Sequence, residues 1–225
     1  MEWLAVVVAL VGAGIAVCIP LAVEYARRPE LAVELADDLN IENRTPNQRI
    51  VHVRVVNRPL QGLRARWLLR NAANGCKVHV KFVSHSDQSG PEFDGRWSGH
   101  PEPYTLVAIP GPTGGVAAVP WVQRLSLVDE AKIPQTRVID VSPGTEGQVV
   151  GIAIKTDDYK EAYGFGPESY LYEAGHLQNP QWFLPHTTYD VQVFAEAGEL
   201  RSPIVRFVLR NEGTSHTGLT LGPPS

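Results

Sequence analysis

Seven histidines offer the most direct route to chemistry in this chain, because imidazole is the commonest metal ligand and titrates nearest neutral pH. They are His52, His79, His85, His100, His176, His186 and His216. None stands in H-x-x-x-H or H-E-x-x-H spacing and no C-x-x-C occurs, so no zinc site is indicated. His52 and His79 fall on the polar faces of two neighbouring strand candidates and could approach each other across a sheet. The plainer alternative is two exposed strand histidines. Paired acids occur at Asp37-Asp38 and Asp157-Asp158. Calcium wants several oxygen ligands at D-x-D-x-D-G-like spacing, and adjacent strand residues point to opposite faces. Asp157-Asp158, which follows a strand, therefore reads as a solvated turn.

Other catalytic patterns are missing too. Gly111-Pro112-Thr113-Gly114-Gly115 lacks the G-K-[ST] ending of a P-loop. No G-x-S-x-G elbow occurs, and nothing selects a Ser, His and Asp trio. No catalytic, cofactor-binding or metal residue is assigned, and the expected protein is not an enzyme and carries no cofactor. The alternative is an enzyme with an unrecognised site.

Aromatic residues are the better candidates for binding. Eight of the chain's 18 aromatics lie between Tyr159 and Tyr189. Tyr159, Tyr163, Phe165, Tyr170, Tyr172 and Trp182 form the candidate partner-binding set. Gly164 and Gly166 keep this stretch irregular, and aromatics on loops supply rigid contact area. The competing reading is a loop folded back over the core, with Trp97, Trp121 and Trp182 as plugs.

The elements that must position these residues read as strands. Ile50–Asn57 puts Val51, Val53 and Val55 on one face and His52 and Arg54 on the other. Cys76–Ser84 alternates Cys76, Val78, Val80 and Phe82 with Lys77, His79 and Lys81. This period of two marks half-buried antiparallel strands. Val149–Lys155, Tyr189–Ala195 and Ile204–Arg210 repeat it, with Leu31–Leu35 and Arg137–Val141 as further strands. Ser142–Gly147 is expected to close one hairpin and Glu196–Glu199 another. Arg58–Gly75 is a long connection with an extra strand near Arg64–Leu69. Gly90–Gly115 reads as a Pro/Gly-rich loop, and Val122–Lys132 as a short helix. The fold class is mainly β: an N-terminal transmembrane helix, then an immunoglobulin-like antiparallel β-sandwich with long loops. The division is 1–28 anchor, 29–210 sandwich and 211–225 disordered tail, with two small sandwiches split near residue 130 as the alternative.

The anchor is the run Trp3–Val23, 21 residues without a charge, whose roughly 30 Å length as a helix matches a bilayer core. A cleaved signal peptide is its rival, but the Met1-Glu2 start has no basic residue. Arg27 and Arg28 follow the run, so the positive-inside rule puts the N-terminus outside and the bulk in the cytoplasm. Two arginines fall short of a polybasic lipid-binding cluster. Gly12 and Ala16 form a small-xxx-small pair suited to helix self-association. A formal net charge of −4 argues against nucleic acid as a partner. Cys18 lies in the anchor and Cys76 in the aqueous part, so no disulfide framework exists, and Cys76 reads as a core thiol.

Val51–Asn57, followed by Ala72-Ala73-Asn74-Gly75-Cys76-Lys77-Val78, resembles prokaryotic sandwich modules, including the adhesion-related immunoglobulin-like modules called CARDB. Tyr163-Gly164-Phe165, Glu168-Ser169-Tyr170 and Asn179-Pro180-Gln181-Trp182 resemble patches of membrane-anchored prokaryotic proteins. The resemblance implies a sandwich and a prokaryotic origin; it implies no reaction and carries over no functional residues. The expected role is a non-catalytic single-pass protein that presents a protein-interaction surface at the cytoplasmic face. The alternative is an exported, membrane-tethered module that binds glycan or envelope protein.

Overall fold

The computed structural model describes residues 2–41, 47–62, 65, 67–84, 89–107, 125–157, 159–172, 177–185 and 187–224. A 25-residue helix, α1 (Glu2–Ala26), opens the chain and contains Pro20. Among the described residues sixteen strands follow. They are β1 (Leu31–Leu35), β2 (Leu39–Ile41), β3 (Gln48–Asn57), β4 (Ala73–Ser84), β5 (Ser89–Asp94), β6 (Arg96–Trp97), β7 (Tyr104–Val107) and β8 (Leu125–Val128), then β9 (Ile139–Val141), β10 (Gln148–Thr156), β11 (Ala162–Gly164), β12 (Phe183–Leu184), β13 (Thr188–Ala197), β14 (Leu200–Arg201), β15 (Val205–Asn211) and β16 (Leu219–Gly222).

Two antiparallel sheets carry the fold. Sheet one runs β1-β3-β10-β11-β12, with β2 beside β3 and β6 beside β10. Sheet two runs β16-β15-β13-β4-β5, with β14 beside β13 and β9 beside β4. The alternation seen in sequence decides what meets between them. Val51, Val53 and Val55 of β3, with Val150 and Ile152 of β10, share a core with Val78, Val80 and Phe82 of β4 and Val191 and Val193 of β13. Strands from both sides of residue 130 pair directly, β3 with β10 and β4 with β13. A cut near 130 would therefore leave both sheets incomplete.

Several local expectations are corrected. Ser142–Gly147 does not close a hairpin: β9 pairs with β4 in sheet two, whereas β10 pairs with β3 in sheet one. The segment is a crossover between layers, with Gly144 and Gly147 at φ 73° and 85°. Glu196–Glu199 is a hairpin, in which Ala197 pairs with Leu200 and Gly198 takes φ 59°, the first-position glycine that a tight two-residue loop favours. Gly90–Gly115 is not all loop, since β5 and β6 lie within it and β7 pairs with β8. Part of the expected helix Val122–Lys132 is the strand β8, followed by a 3-10 turn at Glu130–Lys132. Among the described residues of Arg64–Leu69 there is no strand. Trp121 lies outside the described residues.

The tail is not disordered either. Leu219–Gly222 adds to the edge of sheet two by pairing with β15. Leu219 and Leu221 are buried while Thr220 faces out, a period of two too short to stand out among glycines and prolines.

Sheet one is apolar on its outer face as well. Ile50 and Ile154 point away from the main core and pack with Phe165, Tyr170 and Leu177 from the excursion that follows β10. The excursion comes close to the sheet because glycines line its path. A Cβ on Gly164 would run into the Phe93 ring, 2.6 Å from its Cζ and 3.0 Å from Trp182 Cβ. Overpacking of this kind costs about 1–3 kcal/mol. Gly164→Ala should destabilise the folded protein by that amount in urea unfolding of the full chain, while Gly198→Ala, strained only in its turn, should cost less.

Candidate functional site

The aromatic set does not form the surface expected of it. Phe165 (1% exposed), Tyr170 (4%) and Trp182 (8%) are buried. Trp182 stacks on Phe93 with ring centroids 4.3 Å apart, and Phe165 meets Tyr170 at 6.0 Å. The correction is that these three side chains cover the sandwich and have no face left for a partner. Tyr163 and Tyr172 are half-buried. Tyr159 is exposed, as are Leu171 and Phe183 of the same excursion.

Beneath the excursion sits a buried guanidinium. Arg96 lies under Tyr170 at 5.0 Å and Phe165 at 5.9 Å, within cation–π range. It donates to the His100 carbonyl at 3.2 Å and pairs with Glu102 at 3.5 Å. His52 is buried near this charge, and its pKa is pushed down to about 4, by burial first and by Arg96 second. At neutral pH His52 is an uncharged core residue. His79, by contrast, lies on the outer face of sheet two, with Nδ1 3.0 Å from Asp94 and Nε2 2.8 Å from Glu196. Its ring stacks on Phe194 at 4.7 Å. The two histidines therefore do not approach each other: β3 and β4 belong to different sheets and both rings point outward.

Asp157 is not a solvated turn residue. Its Oδ1 accepts from the His216 backbone N–H and ring Nδ1, both at 2.7 Å, and its Oδ2 accepts from Asn47 at 2.9 Å. Burial works against the carboxylate, but the bonds from His216 and Asn47 outweigh it and hold the group below the usual range. Beside it, buried Lys155 donates to Asn211 Oδ1 at 2.6 Å and to the carbonyls of Glu212 and Gly213. This is a latch that ties the C-terminal segment to the end of β10. The Ser215 hydroxyl, next to His216 in the chain, engages Thr217 at 2.8 Å. No group of three His, Cys, Asp or Glu among the described residues is placed to hold a metal. Cys76 is fully buried, and burial first, then Glu196, pushes its thiol up to about 12. It is an inert core group.

The most constructed polar feature is the helix exit. Arg27 Nε donates to the Leu69 carbonyl at 3.1 Å, and the Asn71 N–H donates to the Arg27 carbonyl at 2.7 Å. Arg70 donates to the Arg28 carbonyl at 2.8 Å and pairs with Glu30 at 3.0 Å. Asn57, 2% exposed, joins these pieces. Its Oδ1 accepts from the Glu30 N–H at 3.1 Å, and its Nδ2 donates to the carbonyls of Asn71 and Val141 at 2.8 and 3.2 Å. No flexible linker separates α1 from the sandwich.

Every described residue of α1 is exposed except Val23 and Ala26, which are half-buried. Among the described residues no helix is long and apolar enough to cross a membrane. The side chains of Glu2, Leu4, Ala5, Val8 and Ala9 lie outside them, and the unbroken described stretch is Leu10–Ala26.

No protein family, curated protein or solved structure matches this chain. Sequence reasoning missed both the mount at Asn57 and the Asp157–His216 latch. Their partners are distant in sequence and belong to no motif.

Two predictions follow from these polar groups. Asn57→Ala orphans a buried N–H and two carbonyls. At about 1–3 kcal/mol per unsatisfied group, even partial rehydration leaves a loss of roughly 3 kcal/mol, readable in urea unfolding. For His52, the folded pKa lies below the unfolded 6.5, so between pH 6.5 and about 4 only the unfolded chain takes up the proton. Stability should therefore be unaffected by His52 above pH 6.5 and should fall as the pH drops through that window, by up to about 3 kcal/mol. His52→Gln should flatten this slope between pH 7 and 4.5. The Asp157 contribution is lost only at lower pH, through its depressed carboxyl pKa.

Proposed function

We propose that this chain is a single-pass membrane protein of non-catalytic type, and that its immunoglobulin-like sandwich presents a protein-interaction surface at the cytoplasmic face. The observation that carries the reading is α1. Its uncharged run is apolar around the whole circumference, its described side chains are exposed except for Val23 and Ala26, and it is bolted to the sandwich at its C-terminal end. A helix that is hydrophobic all round needs an apolar surround. The uncharged run Trp3–Val23 has the length of a hydrocarbon core, and Trp3 and Tyr25 stand where interfacial aromatics sit. Arg27 and Arg28 at the exit favour the cytoplasmic side for the bulk of the chain.

Strand order supports the immunoglobulin-like part. β1-β3-β10 in one sheet and β15-β13-β4-β5 in the other reproduce the A-B-E and G-F-C-C′ arrangement, with the remaining strands as additions. The pattern shared with prokaryotic sandwich modules points the same way. Within the aromatic excursion, the surface offered to a partner reduces to Tyr159, Leu171 and Phe183, flanked by Tyr163 and Tyr172.

Carbonate washing of membranes should leave the full chain in the pellet, and a reporter active only in the cytoplasm should work when fused after Ser225. Release by carbonate rejects the anchor. Activity of a reporter that works only outside the cytoplasm rejects the orientation and favours the exported, tethered module.

A further inference from the structure

The loop between β3 and β4 carries two large apolar side chains that nothing in the described protein covers. Trp67 is 81% exposed and Leu69 is 78% exposed. Scattered exposed apolar residues are ordinary, but this pair is not scattered. The Leu69 carbonyl receives the Arg27 guanidinium, and the next two residues, Arg70 and Asn71, bond to the Arg28 and Arg27 carbonyls. The loop is thus pinned against the end of α1 at Arg27 and Arg28.

The stretch Arg58–Arg70 contains four arginines and no acidic residue. The fold brings Arg58 and Arg70 beside Arg27 and Arg28: the Arg58 N–H donates to the Glu30 carbonyl at 2.9 Å, and Arg28 lies over the Tyr25 ring at 5.1 Å. Folding thus adds the Arg70 side chain to Arg27 and Arg28 at the helix exit, while the Arg58 guanidinium reaches toward Glu34. Glu24, Glu30 and Glu34 temper this, pairing with Arg27, Arg70 and Arg58 at 3.6, 3.0 and 3.9 Å. The combination is an exposed tryptophan and leucine on a loop held by Arg27, with the exposed Arg28 at the same helix exit; a guanidinium binds phosphate through paired N–H donors.

Resting on the reading of α1 as a membrane span, we propose that this loop is a second membrane contact. Trp67 and Leu69 enter the headgroup boundary of the leaflet from which α1 emerges, with the exposed Arg28 at the helix exit on a phospholipid phosphate. Distance supports this. From Val23, the end of the uncharged run, to Arg27 is about 6 Å of helix rise, close to the thickness of one interfacial layer, roughly 5–7 Å. A loop hydrogen-bonded to Arg27 is held at headgroup depth. Tryptophan is the side chain that favours that depth most, and a phosphate meets Arg28 there.

The test is depth measurement on the full chain in phospholipid nanodiscs, by nitroxide accessibility to oxygen and to a water-soluble nickel chelate. A Cys18→Ala background suffices, because the Cys76 thiol is buried and protonated. Single cysteines are placed at Leu69, at Ile15 in α1 and at exposed Thr145 in the crossover. Leu69 and Thr145 are exposed, so neither substitution touches the core. The expected result is an oxygen-to-nickel ratio at Leu69 between those at Ile15 and Thr145, and several-fold above Thr145. A Leu69 value equal to that of Thr145, with Ile15 still in lipid, overturns the second contact and leaves the span intact; the pair would then be free for another protein or a second copy. Aqueous values at all three sites overturn the span and the contact together.

Discussion

One buried amide, that of Asn57, joins three stretches that are far apart in the chain. Its oxygen holds Glu30 at the entry to β1, and its nitrogen holds Asn71 ahead of β4 and Val141 at the end of β9. In a site almost without solvent, each of these bonds must be made inside the protein or its group is left orphaned. The constraint fixes where sheet one begins, where the chain crosses to sheet two, and how α1 meets both. Helix, loop and sandwich are therefore one mechanical piece at this end.

The opposite demand governs the outer face of sheet one. β3 and β10 are buried on both sides, so their outward residues need a cover that a plain two-layer sandwich lacks. The excursion after β10 supplies it with Phe165, Tyr170 and Leu177. Arg96 is the exception inside this apolar cover, tolerated because aromatic faces and Glu102 surround its charge. Burial first, and this charge second, keeps nearby His52 neutral. A further link closes the cover at its edge, where Arg137 pairs with Glu168.

The two sheets were legible because β3, β4, β13 and β15 repeat apolar residues every second position; β10 begins so with Val150 and Ile152, but a bulge between Gly151 and Ala153 turns Ile154, expected on the same face, to the outer one. What failed depended on contacts between distant segments. Ser142–Gly147 has hairpin chemistry, yet its flanking strands found partners in different sheets. The final strand is only four residues long and is held by Lys155 and Asp157, residues that look like an ordinary strand end. The concentration of aromatics was legible, and of its two readings the burial of Phe165, Tyr170 and Trp182 fits the loop folded back over the core; what decides between them is the contact of Ile50 and Ile154 with Phe165 and Tyr170, which joins distant segments.

A missing linker also has a dynamic meaning. In an α-helix each residue turns the axis by about 100°, so a helix that repacks against a neighbour by one position rotates through a large angle. Were α1 tethered by a floppy chain, that rotation would dissipate within a few bonds. With Arg27, Arg28 and Glu30 stitched to Asn57, Arg70 and Asn71, torque on the helix reaches the sheets undiminished, and whichever flank the sandwich turns toward its surroundings is set by the rotational register of α1.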